Sequence, residues 1–269
     1  MVRNDLKNVS PYAEIQKEQL AYGGFMKSKA YGVKIQTDNP EKPWSEVGIV
    51  SSDYLLVPNK EIVNMAEEIM SYSNLNFDTE KEFWNGKQFF KTWQCLDEFD
   101  AEVQVGDNLG LGLGVWNSYD GSTRAKMVLF AYRLACTNGM TSRDEFSEYN
   151  FKHDIQNADW EYDMEKSMEI INHAEENIVE FANKCSNLSK HFIRVKDISE
   201  MRKRQFNTMG TSVFGKAMDN FLTNEEYDTR TGWDFLNAGT DVFWHNKKQT
   251  SSDFNHNKLW VDGCLKLVA

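Results

Sequence analysis

The sequence predicts an α+β fold, with an antiparallel β-sheet in the N-terminal half packed with a long helix and several shorter C-terminal helices. Three observations predict it. Up to about residue 158, β-branched and aromatic runs alternate with turn-forming clusters, the pattern of short strands. From Asp159 onward the apolar residues recur at three- and four-residue spacing instead. A hydrophobic content of 41%, with 13% aromatic residues and eight tryptophans, supplies a core that a disordered chain lacks. At 269 residues one folding unit suffices. Within it we expect an N-terminal arm over 1–30, a mainly antiparallel sheet region with one helix over 31–158, and a helical region over 159–269.

Taken in order, Tyr31–Gln36 and Val47–Val57 read as strands. The turn-rich Asp38-Asn39-Pro40-Glu41-Lys42-Pro43 joins them as a hairpin. Asn59 is expected to cap a helix from Lys60 to Tyr72, whose Ile62, Met65, Ala66, Ile69 and Met70 share one face. Extended runs follow at Phe83–Leu96, Glu98–Val105 and Leu109–Trp116. Thr123–Cys136 comes after the Asp120-Gly121 turn and reads as a strand by its β-branched and aromatic content. Phe146–His153 alternates aromatic and polar residues as a further strand. Asp159–Phe192 carries Met164, Met168, Ile171, Ile178, Phe181, Ala182 and Cys185 as an apolar stripe of a long helix. Ile198–Met209, Ser212–Leu222 and Trp233–His245 are shorter helices, and the apolar Leu259–Val268 run is expected to add a strand.

Composition excludes several classes. No stretch reaches the length of a membrane span and the N-terminus lacks a signal-peptide core, so a cytoplasmic protein without membrane contact is expected. Four widely spaced cysteines, Cys95, Cys136, Cys185 and Cys264, fit reduced buried thiols rather than a zinc knuckle or a disulfide scaffold. The net charge of −11 argues against a uniformly basic nucleic-acid binder but leaves a local groove open. Acids dominate Thr141–Cys185. The sign then reverses over Lys190, Arg194, Lys196, Arg202, Lys203, Arg204 and Lys216, opposed only by Asp197 and Glu200.

The glycine run Gly106–Gly114 invites a phosphate-loop reading but matches neither dinucleotide-fold nor Walker spacing. Glycines that make room for close-packed neighbours explain it better. Five histidines (His153, His173, His191, His245, His256) show no metal-ligand spacing, so neither a metal nor a cofactor is expected. Two segments pair cations with aromatic or exposed positions. Lys87, Phe89, Lys91 and Trp93 would share one strand face, where bases stack and lysines meet phosphates, or where the rings point into a core. Arg202-Lys203-Arg204 would lie on a helix, as phosphate contacts or as a solvated face.

Ser118-Tyr119-Asp120-Gly121-Ser122, then Arg133-Leu134-Ala135-Cys136-Thr137-Asn138-Gly139-Met140 and His153, resemble the central signature of a phage- and plasmid-like family, domain of unknown function 932. A second block, Trp233-Asp234-Phe235-Leu236-Asn237-Ala238-Gly239-Thr240 through His245, resembles that family's helical pattern. The departure is Tyr119, where the family often has histidine. The resemblance implies a mobile-element protein acting on DNA or on the host, with polar residues of the kind an enzyme uses but no assigned reaction.

The leading expectation is a single-stranded DNA binding or annealing protein of recombination or replication that forms homo-oligomers. Lys87, Lys91, Arg202, Lys203 and Arg204 would contact phosphates, and Phe89 and Trp93 would stack on bases. The alternative is an enzyme with a pocket of Asp120, Arg133, Asn138, His153 and His245 acting on a phosphorylated small molecule, with Asn237, Thr240 and His245 bonded to the strand ends. A third reading is a binder of a host defence protein through the acidic helix face.

Overall fold

The structure is a computed structural model, described here for residues 6, 9–22, 26–135, 139–142, 148–150, 165–166, 168–169, 171–245 and 251–269. It is α+β, as expected. The chain separates into two compact units whose segments interleave along the sequence. Met1–Trp93, Leu113–Val128 and Glu148–Ile171 form the first, and Gln94–Gly112, Leu129–Ser147 and Asn172–Ala269 the second.

In the first unit, β1 (Ile15–Tyr22), β2 (Met26–Gln36) and β3 (Trp44–Ser51) make an antiparallel three-stranded sheet. Part of the expected N-terminal arm is therefore a strand, with Ile15 opposite Ile35 and Gln19 opposite Tyr31. The expected β2–β3 hairpin is present, and the Thr37 N–H donates to the Pro43 carbonyl at 2.8 Å to close it. Val33 and Ile35 alternate into a core with Leu6, Val9 and Tyr119, and an irregularity at Val47 that breaks the alternation of β3 lets both Val47 and Val50 join it.

Helix α1 (Asn59–Tyr72) buries Ile62, Val63, Met65, Ala66, Ile69 and Met70, the predicted face plus one residue. Asn59 is not its side-chain cap. Pro58 occupies the N-cap position, and the buried Asn59 ties three segments together instead. Its side-chain amide donates to the Pro11 carbonyl, its Oδ1 accepts from Asn117, and its backbone N–H donates to the Tyr119 hydroxyl at 2.9 Å.

The second sheet contains β4 (Phe77–Trp84), β5 (Gln88–Cys95), β6 (Glu102–Gln104), β7 (Asp107–Ser118), β8 (Lys126–Arg133), β9 (Gly139–Met140) and β10 (Glu148–Asn150). Its order is β10-β8-β7-β5-β4, with β6 on β7 and β9 on β8. The single run expected over Phe83–Leu96 is broken in two. Asn85 Oδ1 accepts from the N–H groups of Lys87 and Gln88, and Gly86 takes φ 89°, so the chain reverses there. The run expected over Glu98–Val105 contracts to β6. Asp120-Gly121 sits within a longer β7–β8 connection rather than a two-residue turn, with Asp120 Oδ1 accepting from the Ser122 N–H. Of the strand expected over Phe146–His153, residues 148–150 are extended, and 151–153 lie outside the described residues.

Within the second unit, α2 (Ala174–Ser189), α3 (Val195–Met209), α4 (Thr211–Thr223), α5 (Gly232–Trp244) and α6 (Ser251–Leu265) follow one another. A turn at His173 interrupts the long helix expected over Asp159–Phe192, of which 151–164 lie outside the described residues. The expected strand at Leu259–Val268 is instead part of α6. Phe254, Asn257, Trp260, Val261 and Cys264 are buried at helical spacing, so the polar and apolar stretches belong to one helix. Trp260 packs its indole against Gly239 of α5 and donates to the carbonyls of Phe235 and Leu236. Cys95, Cys185 and Cys264 are buried thiols. No helix among the described residues is long and apolar enough to cross a membrane.

The glycines of β7 make room, as their spacing suggests. A Cβ at Gly110 would lie 2.5 Å from the Tyr132 ring, and one at Gly112 would lie 2.3 Å from the Phe130 ring. Gly112→Ala is therefore expected to destabilise the protein by about 1–3 kcal/mol through overpacking. Phe130→Leu in the same chain should recover part of that deficit. Urea denaturation of the two variants checks this, and an unchanged midpoint for Gly112→Ala would contradict it.

Candidate nucleic-acid interface

The aromatic strand faces inward. Phe89 and Trp93 on β5 are 1% and 3% exposed, so neither ring is open to a base. Phe89 meets Tyr12 edge-on with ring centroids 5.7 Å apart. Lys91 pairs with Glu67 of α1 at 3.1 Å and lies 4.8 Å from the Trp93 ring centroid, which spends its charge inside the fold. Lys87 sits half-buried in the turn between β4 and β5.

Of the residues of the expected polar pocket, Arg133 and His245 can be compared within one unit, and they stand apart. Asn138 and His153 lie outside the described residues. Asp120 belongs to the first unit, whereas Arg133 and His245 belong to the second. Arg133 pairs with the buried Asp107, its Nε lying 2.8 and 3.0 Å from the two carboxylate oxygens. The Trp233 indole N–H donates to the same carboxylate at 2.8 Å. His245 ends α5, with its ring 4.0 Å from Asp241. Trp233 and His245 are twelve residues apart on one helix, which separates Arg133 from His245 by roughly 18 Å along the axis. Asn237 and Thr240 bond within α5, to the carbonyls of Trp233 and Asn237, not to strand ends.

The basic segment forms a surface, with an aromatic component that sequence reasoning misses. After α2 the chain runs extended and is fastened at successive residues to the turn before α5. The Gly232 N–H donates to the His191 carbonyl at 2.7 Å, Phe192 bridges Thr231, and the Ile193 N–H donates to the Arg230 carbonyl at 3.0 Å. Arg230 adopts φ 55°, the one non-glycine residue among those described with positive φ. Such a backbone costs on the order of 1–3 kcal/mol and persists where its surroundings hold it. Here Arg230 donates from Nη2 to the Leu222 carbonyl and lies 5.1 Å from the Phe221 ring centroid.

On this fastened segment Phe192 is 68% exposed and Val195 85% exposed, between the exposed cations Lys190, Arg194 and Lys196. Helix α3 continues the surface. Asp197 and Met201 face inward, and at 3.6 residues per turn Val195, Lys196, Arg202 and Lys203 then fall within about a third of the helix circumference on the outer side. Arg204 turns off this arc toward Glu200, 3.8 Å away. The signal is present in the sequence as Lys190, Phe192 and Arg194 at alternate positions, where apolar spacing carries the preceding helix too far.

Asp197 organises the segment. Burial pushes its carboxyl up, but hydrogen bonds from the Arg194 side chain, the Arg194 backbone and His191 outweigh this and hold it below its ordinary value. The bonds measure 2.9 Å from the Arg194 N–H, 3.0 Å from its Nε and 3.2 Å to His191 Nε2. The carboxylate thus caps α3 and fixes the approach of Phe192 together.

These features define an α+β protein that carries a rigid, cation-flanked aromatic on its surface. The chain belongs to the family described as Domain of unknown function (DUF932), whose model matches residues 46–260, as the two sequence blocks imply. No curated protein matches the chain, and no solved structure does.

Asp197→Ala should cost about 1 kcal/mol through removal of the cap and accelerate amide hydrogen exchange at Ile193 and Gly232. Because the folded carboxyl is held low, its contribution is present above the ordinary carboxylate range and lost as pH falls through the depressed folded value. The stability difference between wild type and Asp197→Ala should therefore vanish in acid. A difference that persists or grows there would contradict this assignment.

Proposed function

We propose that the protein binds single-stranded DNA through the surface formed by Phe192, Val195 and the cations from Lys190 to Lys203, as a phage-type protein of recombination or replication. The observation that carries this reading is Phe192, exposed on a backbone fastened by hydrogen bonds and bracketed by Lys190, Arg194 and Lys196. An unpaired strand offers base faces for the ring and phosphates for the cations, whereas a duplex hides its base faces. A ring carried on a fastened backbone loses less entropy on stacking than one on a free loop. The acidic remainder of the chain repels nucleic acid elsewhere and favours this one approach.

Fluorescence anisotropy with a labelled oligo-dT strand tests it. Affinity should fall steeply between about 50 and 200 mM salt. Phe192→Ala should weaken binding by about 1–3 kcal/mol while leaving the salt slope unchanged. Arg202→Ala with Lys203→Ala should reduce the slope by roughly 0.7 for each phosphate that is no longer neutralised. Absence of binding at the lower salt, or a Phe192→Ala protein that binds like wild type, would sink the proposal.

A further inference from the structure

Six large apolar side chains are exposed among the described residues of the second unit, and five of them lie in two segments of opposite charge. Phe192 and Val195 accompany the cations described above. Leu96, Val105 and Leu134 lie at the other surface, where the β5–β6 and β6–β7 connections meet the end of β8. Residues 94–106 contain Asp97, Glu98, Asp100 and Glu102 and no lysine, arginine or histidine. A cleft of about 450 Å³ opens there, walled by Leu96, Phe99, Leu109, Tyr132 and Leu134, with Asp97 and Glu98 also in its lining. The Tyr132 hydroxyl donates to the Cys95 carbonyl at 2.8 Å and fixes the floor.

We infer that this cleft is the docking site for the Phe192 segment of a second copy of the chain. The apolar walls suit an aromatic ring, and the acids around them meet Lys190 and Lys196, Arg194 being already paired with Asp197. A basic knob and an acidic socket on the same chain are complementary between copies, while the hydrogen bonds that hold Phe192 in place keep it out of its own cleft. Such a pairing forms a closed dimer if it is reciprocal and a chain of subunits if it is not. The inference stands apart from the DNA reading except that both use Phe192, so the two modes of binding exclude one another.

Sedimentation equilibrium of the full chain without DNA tests it. At about 50 mM salt the mass should exceed the 31.2 kDa of one chain increasingly with concentration, and it should fall back toward that value at about 200 mM. Reversing two exposed acids, Glu98→Lys with Asp100→Lys, should weaken association on the order of a hundredfold. Lys190→Glu with Lys196→Glu should do the same. An equimolar mixture of the two reversed proteins should associate again, because each supplies one intact surface. All four positions are exposed, so unchanged thermal melting is expected and checks that the fold is intact. A mass of 31.2 kDa at every concentration in low salt, or association indifferent to both reversals, overturns the inference. Because the assay contains no DNA, failure of the DNA reading leaves it standing. A monomer that still binds oligo-dT would refute the docking alone.

Discussion

The buried carboxylate of Asp107 is the group on which the second unit depends. Both of its oxygens meet Arg133 at the end of β8, and it accepts the indole N–H of Trp233 at the start of α5. One anion thus fixes two strand ends and a helix entry. The residues just before Trp233 hold the Phe192 segment, and the residues beside Asp107 and Arg133, Asn108 and Leu134, line the acidic cleft. Removing such a carboxylate leaves a cation without its partner, which typically costs about 3–5 kcal/mol in a buried setting. Both surfaces of the unit are therefore positioned by an interaction that belongs to neither.

Much of the fold is legible in the sequence because local chemistry and burial agree. The turn cluster between Gln36 and Trp44, the apolar face of α1 and the glycines of β7 each state their structure in a few residues. The misreadings have physical causes. Asn85-Gly86 is a turn signal, but the aromatic residues on either side suggest one continuous strand. Phe89 and Trp93 alternate like a face open to solvent, yet β5 also buries Phe90 and Thr92 on the other face. Period two cannot tell an outer face from an inner one when both are covered. In α6 the buried residues are spread through a polar stretch, so hydropathy by segment conceals a helix that spacing shows.

The site is half legible for a related reason. Cations declare themselves in sequence, and Arg202 and Lys203 do lie on the outside. An exposed aromatic does not declare itself, because phenylalanine is ordinarily a core residue and forgoes about 1.5–3 kcal/mol of burial when left in water. In sequence Phe192 stands at alternate positions with Lys190 and Arg194, but it is the bonds of His191 and Ile193 to the turn before α5 that show it held outward. Arg133 looks like an anion site for the opposite reason: its partner Asp107 lies 26 residues away in sequence, and nothing local announces the pair.

The rings above the β7 glycines also determine which alignment of β7 and β8 is possible. Tyr132 occupies the space at Gly110 and Phe130 the space at Gly112. Shifting one strand by a single residue would drive both rings into the leucines that alternate with the glycines, so odd slips are sterically blocked. A shift of two residues that brings Phe130 to Gly114 would meet the Trp116 ring, which already fills the space there. It would also draw Arg133 away from Asp107 and leave that buried carboxylate without its cation. Sterics and charge thus both hold the pair of strands in this register.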